Sequence, residues 1–299
     1  MATCSASPAP LLIDCRLGCV AAGFGERPVV PLHGALDWDE WAHFLQATQR
    51  ESLIARRVRA MLEGLGVLPA PRNAQQPRDA QAPSAPPSSV GDPRVLDVGC
   101  GNGEFTAALA CNSVAIDIVD FRCELARQRL PMVLGSFEEL ASGAISLPLS
   151  WSAPDVIIFK QSFHLVSRGH ELLRYAFPRA TVVLIQAVSR PWDGRPYEHN
   201  GDFRSNVRVF EAAGRSVNVA IFKTRYVLTP GAAEAFIVGG AQSDLRAMTV
   251  DERKVALAHV LEEAGPDGPT LTDELAVVVA GPMHVLNPAA SARSHGNYV

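Results

Sequence analysis

The sequence lacks the features that would place it in a membrane or in an oxidising compartment. Its N-terminal apolar run, Leu11-Leu-Ile13, is interrupted by Asp14 after three residues, whereas about 20 apolar residues are needed to cross a bilayer. The six cysteines form no Cys-x-x-Cys pair, and no Cys/His cluster has the spacing of a zinc site. We therefore expect a cytoplasmic protein with reduced cysteines, no membrane association and no metal.

A concentrated positive charge is also missing. The 27 basic and 31 acidic residues give a formal net charge of -4, and no block of Lys or Arg could follow a phosphate backbone. This charge pattern favours a small-molecule substrate over a nucleic acid. It leaves the oligomeric state open.

The segment 69–93 has no apolar periodicity and is rich in Pro, Ala, Ser and Gln. Such a composition cannot bury enough surface to offset the entropy of ordering, so we predict a disordered linker there. It separates a helical N-terminal extension at 1–68, a possible lid, from a folded domain at 94–284. A flexible tail is predicted at 285–299.

Apolar strand candidates alternate with helical segments from Arg94 onward, which is typical of a parallel sheet covered by helices. A strand with a bulged continuation is predicted at 217–228, a helical region from Ala232 to Gly265 with a break at Gly239-Gly240, and a last strand at 275–281. We predict an α/β fold: a doubly wound, mostly parallel, seven-stranded Rossmann-like sheet with N-terminal helices and a helical insertion near the late strands. The first five strand candidates are 94–99, 113–118, 131–135, 154–160 and 181–187.

A glycine-rich turn joins the first strand to the following helix, in Val95-Leu-Asp-Val-Gly-Cys-Gly-Asn-Gly103. Glycines without Cβ atoms let backbone N–H groups approach a ligand, and the helix that follows directs its free N–H groups at the same place. Asp117 ends the second strand, where a carboxylate can accept both hydroxyls of a ribose. Nicotinamide dinucleotides bind in a similar way, but their Gly-x-Gly-x-x-Gly spacing differs from the spacing found here.

The segment from Asp97 to Gly103 resembles the first motif of class I S-adenosylmethionine-dependent methyltransferases. Asp117 matches the acidic residue of that family, and 154–164 resembles its fourth motif. The closest similarity is to the small-molecule "type 11" group, partly through the segment Ser243–Met248. The fourth motif contains no Asn/Asp-Pro-Pro-aromatic sequence, which nucleic-acid amino-methyltransferases use on a flipped base.

The resemblance implies that S-adenosylmethionine is the cofactor. Asp97 would hold its amino group, the glycine turn its methionine part, Asp117 its ribose and Ile118 its adenine. Ser136 stands where the family has an acid that accepts from the adenine amino group, with the Phe137 N–H beside it. The predicted cofactor contacts are Asp97, Gly99, Cys100, Gly101, Asn102, Gly103, Asp117, Ile118, Ser136, Phe137, Lys160 and Gln161. Cys100 is expected to fit the turn as a small residue and not to act as a nucleophile.

Two polar side chains at the fourth motif have open roles. An ammonium group beside a sulfonium is unfavourable, so the Lys160 amine is expected to point elsewhere, either to a substrate carboxylate or to a solvent-exposed salt bridge. His164 is the candidate general base, because imidazole titrates near neutral pH. A structural histidine at a helix start is an equal alternative.

The predicted substrate contacts are Trp38, Trp41, His199, Phe236 and Met248. The function predicted is methyl transfer to a small-molecule acceptor by in-line displacement, assisted by His164 when the acceptor carries a proton. The alternative is a catalytically inactive S-adenosylmethionine-binding regulatory or partner protein. A nicotinamide-dependent oxidoreductase is the third hypothesis.

Overall fold

Seven strands form one sheet in the computed structural model, which describes residues 50–70, 92–119, 126–148, 151, 153–197, 202–240, 245 and 247–283. The strands are β1 (Val95–Val98), β2 (Ser113–Asp117), β3 (Met132–Leu134), β4 (Val156–Lys160), β5 (Thr181–Ser189), β6 (Arg215–Val227) and β7 (Thr270–Met283). Their order is β3-β2-β1-β4-β5-β7-β6. The first five run parallel, and β7 pairs antiparallel with both β5 and β6. This arrangement confirms the predicted fold class.

Seven α-helices accompany these strands within the described residues, together with a short 3-10 helix at Phe163–Leu165. The helices are α1 (Arg50–Gly64), α2 (Glu104–Leu109), α3 (Phe137–Ser142), α4 (Gly169–Ala176), α5 (Phe203–Ala212), α6 (Pro230–Ile237) and α7 (Val250–Glu262). None of them is long and apolar enough to cross a membrane.

Both faces of the sheet are covered, as the nearly continuous apolar strands require. Successive side chains of β4 alternate between the two faces: Val156 and Ile158 pack with α1 and α2, whereas Ile157 and Phe159 pack with α3, α4 and α5. Lys160 ends β4, and Asp97 lies one residue before the end of β1. Because the parallel strands share one direction, their carboxyl ends meet along one edge, which is where such sheets bind ligands.

Helix α1 is part of the core. Its residues Ile54, Val58 and Leu62 are fully buried against β1, β4, β5 and β7. These residues recur at a spacing of four, so they form one apolar face. The described part of the predicted N-terminal extension thus covers the sheet, while the predicted domain boundaries and the lid role of residues 1–49 stay predictions.

The late region differs in detail from the sequence prediction. Strand β6 runs without a break from Arg215 to Val227, and its irregularity lies between Arg215 and Val217 and not in the middle. Strand β7 begins at Thr270, five residues before the predicted start. Both strands extend because each backbone pairs with the other over almost their full length. The helical insertion is confirmed: α6 ends before Gly239, and α7 begins at Val250.

Candidate cofactor and active site

The glycine turn lies at the carboxyl end of β1, and Asp117 holds it in shape. One Asp117 oxygen accepts a hydrogen bond from the Gly101 N–H at 2.9 Å, and the other accepts from the Val119 N–H at 3.0 Å. Gly99, Gly101 and Gly103 all have positive φ angles of 59–74°. The side chain of Asp117 therefore fixes the backbone of the turn in addition to any contact with a ligand.

Close packing explains two of the glycines. A Cβ on Gly99 would stand 2.6 Å from the Cβ of Ser162, whose hydroxyl donates to the Val98 carbonyl and ties β1 to the segment after β4. A Cβ on Gly103 would meet Leu130 at 2.8 Å. By contrast, no atom of the described residues lies within 4 Å of the corresponding position at Gly101. The open part of the turn is therefore at Gly101.

The other turn residues have structural partners. Cys100 is buried, with its Sγ 3.6 Å from the Sδ of Met132, so it fits the turn as a small apolar residue. The Asn102 side-chain oxygen accepts from the Glu104 N–H at 3.2 Å, at the start of α2. Their contact with a cofactor remains a prediction.

Asp97 is a buried carboxylate with one oxygen in use. The Thr106 hydroxyl donates to Oδ2, and Oδ1 has no hydrogen-bond partner among the described residues. Burial raises the pKa of Asp97 to about 6, although the bond from Thr106 acts in the opposite direction. An unpaired buried carboxylate oxygen is costly, so this atom marks a place where a ligand donor fits.

Lys160 ends β4 and is paired, as one of the two sequence alternatives proposed. Its Nζ lies 3.0 Å from the Glu51 carboxylate of α1 and 5.7 Å from the centre of the Phe105 ring. Glu51 also accepts from Arg50 at 2.6 Å, and Arg50 reaches Asp273 of β7 at 2.5 Å. This lysine is largely buried, unlike the solvent-exposed one that the sequence suggested.

Three residues, Ile118, Ser136 and Phe137, were predicted to contact the adenine, and they differ in how far their side chains are exposed. Ile118 is 58% exposed directly after β2, which suits a contact surface. Ser136 caps α3: its hydroxyl oxygen accepts from the Glu139 N–H at 3.1 Å, and Glu139 accepts from the Ser136 N–H at 2.8 Å. The Phe137 side chain is buried against Phe159 and Phe177, so only its backbone could serve a ligand.

Gln161 and His164, two of the residues predicted to form the site, follow β4. Gln161 has φ of 56°, which is unusual for a residue with a Cβ and turns the chain sharply at the strand end. His164 is exposed in the 3-10 helix. Together with Phe163, Asp202 and Asn206, it lines an open groove of about 460 Å³ between α4 and α5.

A second histidine, which sequence reasoning missed, lines the same groove. The His170 Nε2 is 2.9 Å from the Asn206 side-chain oxygen, and the Asn206 amide donates to Gln186 at 3.0 Å. Burial lowers the pKa of His170. Its position in the first turn of α4 carries no sequence signal, because the partners come from β5 and α5.

Of the five predicted substrate residues, the structure describes Phe236 and Met248. Trp38, Trp41 and His199 lie outside the described residues. Phe236 is 2% exposed, and it packs with Trp192 in a separate cluster beneath α6 and α7, which Met248 also contacts. Phe236 is thus a core residue in this structure, and the acceptor role of both residues stays a prediction.

Part of the chain is similar to a known protein family. Residues 96–177 match the family model described as "Methyltransferase domain". No curated protein matches the sequence. Three solved structures that resemble the chain are the magnesium protoporphyrin IX methyltransferase of Synechocystis PCC 6803 with bound S-adenosylmethionine, the plantazolicin methyltransferase in complex with S-adenosylhomocysteine, and the precorrin-6y C5,15-methyltransferase of Geobacter metallireducens GS-15.

Sequence identity to these structures is low. The first is 12% identical, with 82% of this chain and 90% of that chain covered at a TM-score of 0.43; the second is 11% identical with the same coverage and a TM-score of 0.42. The third is 11% identical over 63% of this chain and 79% of that chain, at a TM-score of 0.38.

The glycine turn between two buried carboxylates, the sheet order with its antiparallel β7, and the family match over 96–177 agree with one another. Residues 96–177, which contain the glycine turn and β4, are therefore similar to the methyltransferase-domain family, and they lie on a seven-stranded Rossmann-like sheet.

Proposed function

We propose that this protein transfers a methyl group from S-adenosylmethionine to a small-molecule acceptor by in-line displacement. The observation that carries the proposal is the unpaired, buried Oδ1 of Asp97 beside the open turn at Gly101. A cationic group that donates hydrogen bonds would satisfy this oxygen, and the amino group of the cofactor is such a group.

The residues present fit the cofactor. Asp97 would receive its amino group, Asp117 its ribose hydroxyls, and the exposed face of Ile118 its adenine. When bound, the cofactor supplies an electrophilic methyl group on a positively charged sulfur. The protein's part is to align this methyl group with the acceptor and to keep water out, since alignment supplies much of the rate of a displacement reaction.

The groove between α4 and α5 is the proposed acceptor site, because it opens next to the carboxyl end of β4. His164 lies at its rim and would take the proton from a hydroxyl or protonated amine acceptor. The neutral His170, held by Asn206, would orient the acceptor from the other wall. The net charge of the protein and the absence of a basic block support a small acceptor over a nucleic acid.

Calorimetric titration with S-adenosylmethionine and, separately, NADH tests the cofactor assignment. We expect micromolar-range binding of S-adenosylmethionine only. Asp117→Ala should lose it, and Asp117→Asn, which keeps an oxygen for the Gly101 N–H, should bind with intermediate affinity. The control is Asp155→Asn, which removes a carboxylate paired with Arg94 at the opposite end of β4 and should leave binding unchanged.

Absence of S-adenosylmethionine binding by the wild-type chain would overturn the proposal, and NADH binding would favour an oxidoreductase. Binding without turnover over a broad panel of hydroxyl, amine and carbon acceptors would favour the second candidate, a non-catalytic cofactor-binding protein. The commitment of the Ser136 hydroxyl to the cap of α3, where the family has an acid, is the observation that keeps this candidate open.

A further inference from the structure

A buried lysine stands at the edge where a positively charged sulfur is proposed to bind. Lys160 is the last residue of β4, and its backbone neighbour Phe159 pairs with Val98, directly before the glycine turn. Its side chain lies on the same face of the sheet as Asp97 and is 18% exposed. An uncompensated ammonium group in this place would repel a sulfonium, because charges interact strongly where water is scarce.

The structure compensates this charge with a carboxylate from another element. Glu51 of α1 is 4% exposed and contacts the Lys160 ammonium at 3.0 Å. Burial acts to raise the pKa of Glu51, yet Lys160 and Arg50 together hold it below its ordinary value, so the group is ionised. The ammonium is thereby drawn toward α1 and over the Phe105 ring.

The position of Glu51 is itself fixed. Arg50 contacts Glu51 on one side and Asp273 of β7 on the other, and all three side chains are at most 4% exposed. Two further carboxylates, Asp97 and Glu104, interact with this cluster. Lys160 lowers the pKa of Asp97, whereas Glu51 raises it. Burial and Glu51 both raise the pKa of Glu104. Arg129, which acts on Glu104 in the opposite direction, is the third cation of this cluster beside Arg50 and Lys160. Among the described residues the four carboxylates still outnumber the three cations.

We propose that Glu51 is a positioning residue that sets the selectivity of the site for a cationic donor over its neutral product. By holding Lys160 in an ion pair, it leaves the excess negative charge of Asp97 and its neighbours to act on the sulfonium. S-adenosylhomocysteine has the same amino acid and nucleoside parts but an uncharged sulfur, so the excess negative charge stabilises its bound form less. This inference rests on the proposed function and assigns donor discrimination to helix α1.

The test measures the ratio of the Kd values for S-adenosylhomocysteine and S-adenosylmethionine by calorimetry on the full chain. Glu51→Gln keeps the size of the side chain, removes one negative charge and releases Lys160. We expect it to weaken S-adenosylmethionine binding about tenfold and S-adenosylhomocysteine binding much less. Lys160→Met should shift the ratio in the opposite direction, and the double variant should return toward the wild-type value.

The matched control is Glu63→Gln on the same helix. Glu63 also pairs with an arginine, Arg59, at 2.6 Å, but it lies 12 residues along α1, about 18 Å away. The ratio of the two Kd values in Glu63→Gln should equal that of the wild type. Sinefungin, which carries an ammonium group in place of the methylated sulfur, should follow S-adenosylmethionine in every variant if charge decides the effect.

Equal weakening of both ligands by Glu51→Gln would overturn the inference, because a purely structural role changes both affinities alike. A Kd ratio that moves in the same direction in Glu51→Gln and in Lys160→Met would also overturn the inference. If Glu51→Gln fails to fold, the shift in Lys160→Met decides alone. Failure of the wild-type chain to bind either ligand would instead contradict the proposed function.

Discussion

Asp97 illustrates how a single residue can be unfavourable for the free protein and favourable for the bound one. Its carboxylate is buried, has one unused oxygen and has a pKa raised to about 6. A raised carboxyl pKa means that the folded chain binds a proton more tightly than the unfolded chain does. The ionised form therefore destabilises the ligand-free fold, and this cost develops as the pH rises from about 4 through 6.

The affinity for S-adenosylmethionine is expected to depend on the ionisation of Asp97. Below about pH 6 the free carboxyl is protonated and attracts the cofactor amino group less, so the association constant should rise as the pH increases from 5 to 7 and level off above that. Calorimetry across this range measures the effect. A flat profile in the wild-type chain would contradict it.

Asp97→Asn supplies the control for this profile. It should bind weakly at every pH, without the rise between pH 5 and 7. The ligand-free variant should also be more stable than the wild type at pH 7.5, by about 1–3 kcal/mol, with the gain vanishing near pH 4. A loss of stability at pH 7.5 would show that the carboxylate is needed for the fold.

The residues of the first motif could be predicted from sequence because they follow one another along the chain. Asp97 and the glycines stand next to the strand end that uses them, so spacing alone places them together. Glu51 could not be predicted in this way: a charged residue near the start of a helix is usually solvated. Its contact with Lys160 arises only when α1 packs on the sheet, and no local pattern records that packing.

Helix α3 shows how an element can constrain a ligand contact. It has six residues, too few for stability on its own, and a capping box between Ser136 and Glu139 satisfies two backbone N–H groups at its start. The hydroxyl that the sequence assigned to the adenine is therefore part of the cap. An aspartate can cap equally well and offers a second oxygen.

Substitutions at Ser136 should separate the two roles. Ser136→Ala removes the cap and should lower the free energy of unfolding by about 1 kcal/mol. Ser136→Asp should retain the wild-type stability and bind S-adenosylmethionine several-fold more tightly, because the second carboxylate oxygen could accept from the adenine amino group while the first caps α3. Urea unfolding and calorimetry provide the two readings. Tighter binding by the alanine variant would contradict the assignment.

The five parallel strands were easier to predict than strands β6 and β7. The five parallel strands are mostly apolar, with Asp97 in β1 and Gln186 in β5 as buried exceptions, so each forms a short apolar segment between turn residues. Strand β6 alternates, with Val219 and Ile221 exposed and Thr224 and Tyr226 buried, and its polar residues suggested an interruption. Pairing with β7 keeps it continuous, and that pairing joins segments more than 40 residues apart.

The molecule as a whole is tied together by the buried pair of Arg50 and Asp273, which are 223 residues apart. Arg50 is enclosed between two carboxylates, and a buried charge that loses a partner is strongly destabilising. We expect Asp273→Ala to lower the free energy of unfolding by about 3 kcal/mol or more. Urea denaturation measures the loss, and hydrogen exchange should show faster exchange along α1.

An exposed ion pair provides the comparison. Arg168 and Glu171 are 75% and 51% exposed, so Glu171→Gln should change the stability by less than about 0.5 kcal/mol. If both variants lose the same amount, the Arg50 pair does not anchor α1.

The position of β7 in the sheet also affects how the protein is made. This strand is the last of the seven described strands along the chain, yet it lies between β5 and β6. A nascent chain that has left the ribosome as far as β6 therefore lacks the partner of that strand, and Tyr226, which the complete fold buries, would be available to chaperones. Asp273, which holds α1 and with it Glu51, emerges later still. A polypeptide released before that point would contain the whole glycine motif but not the finished donor site.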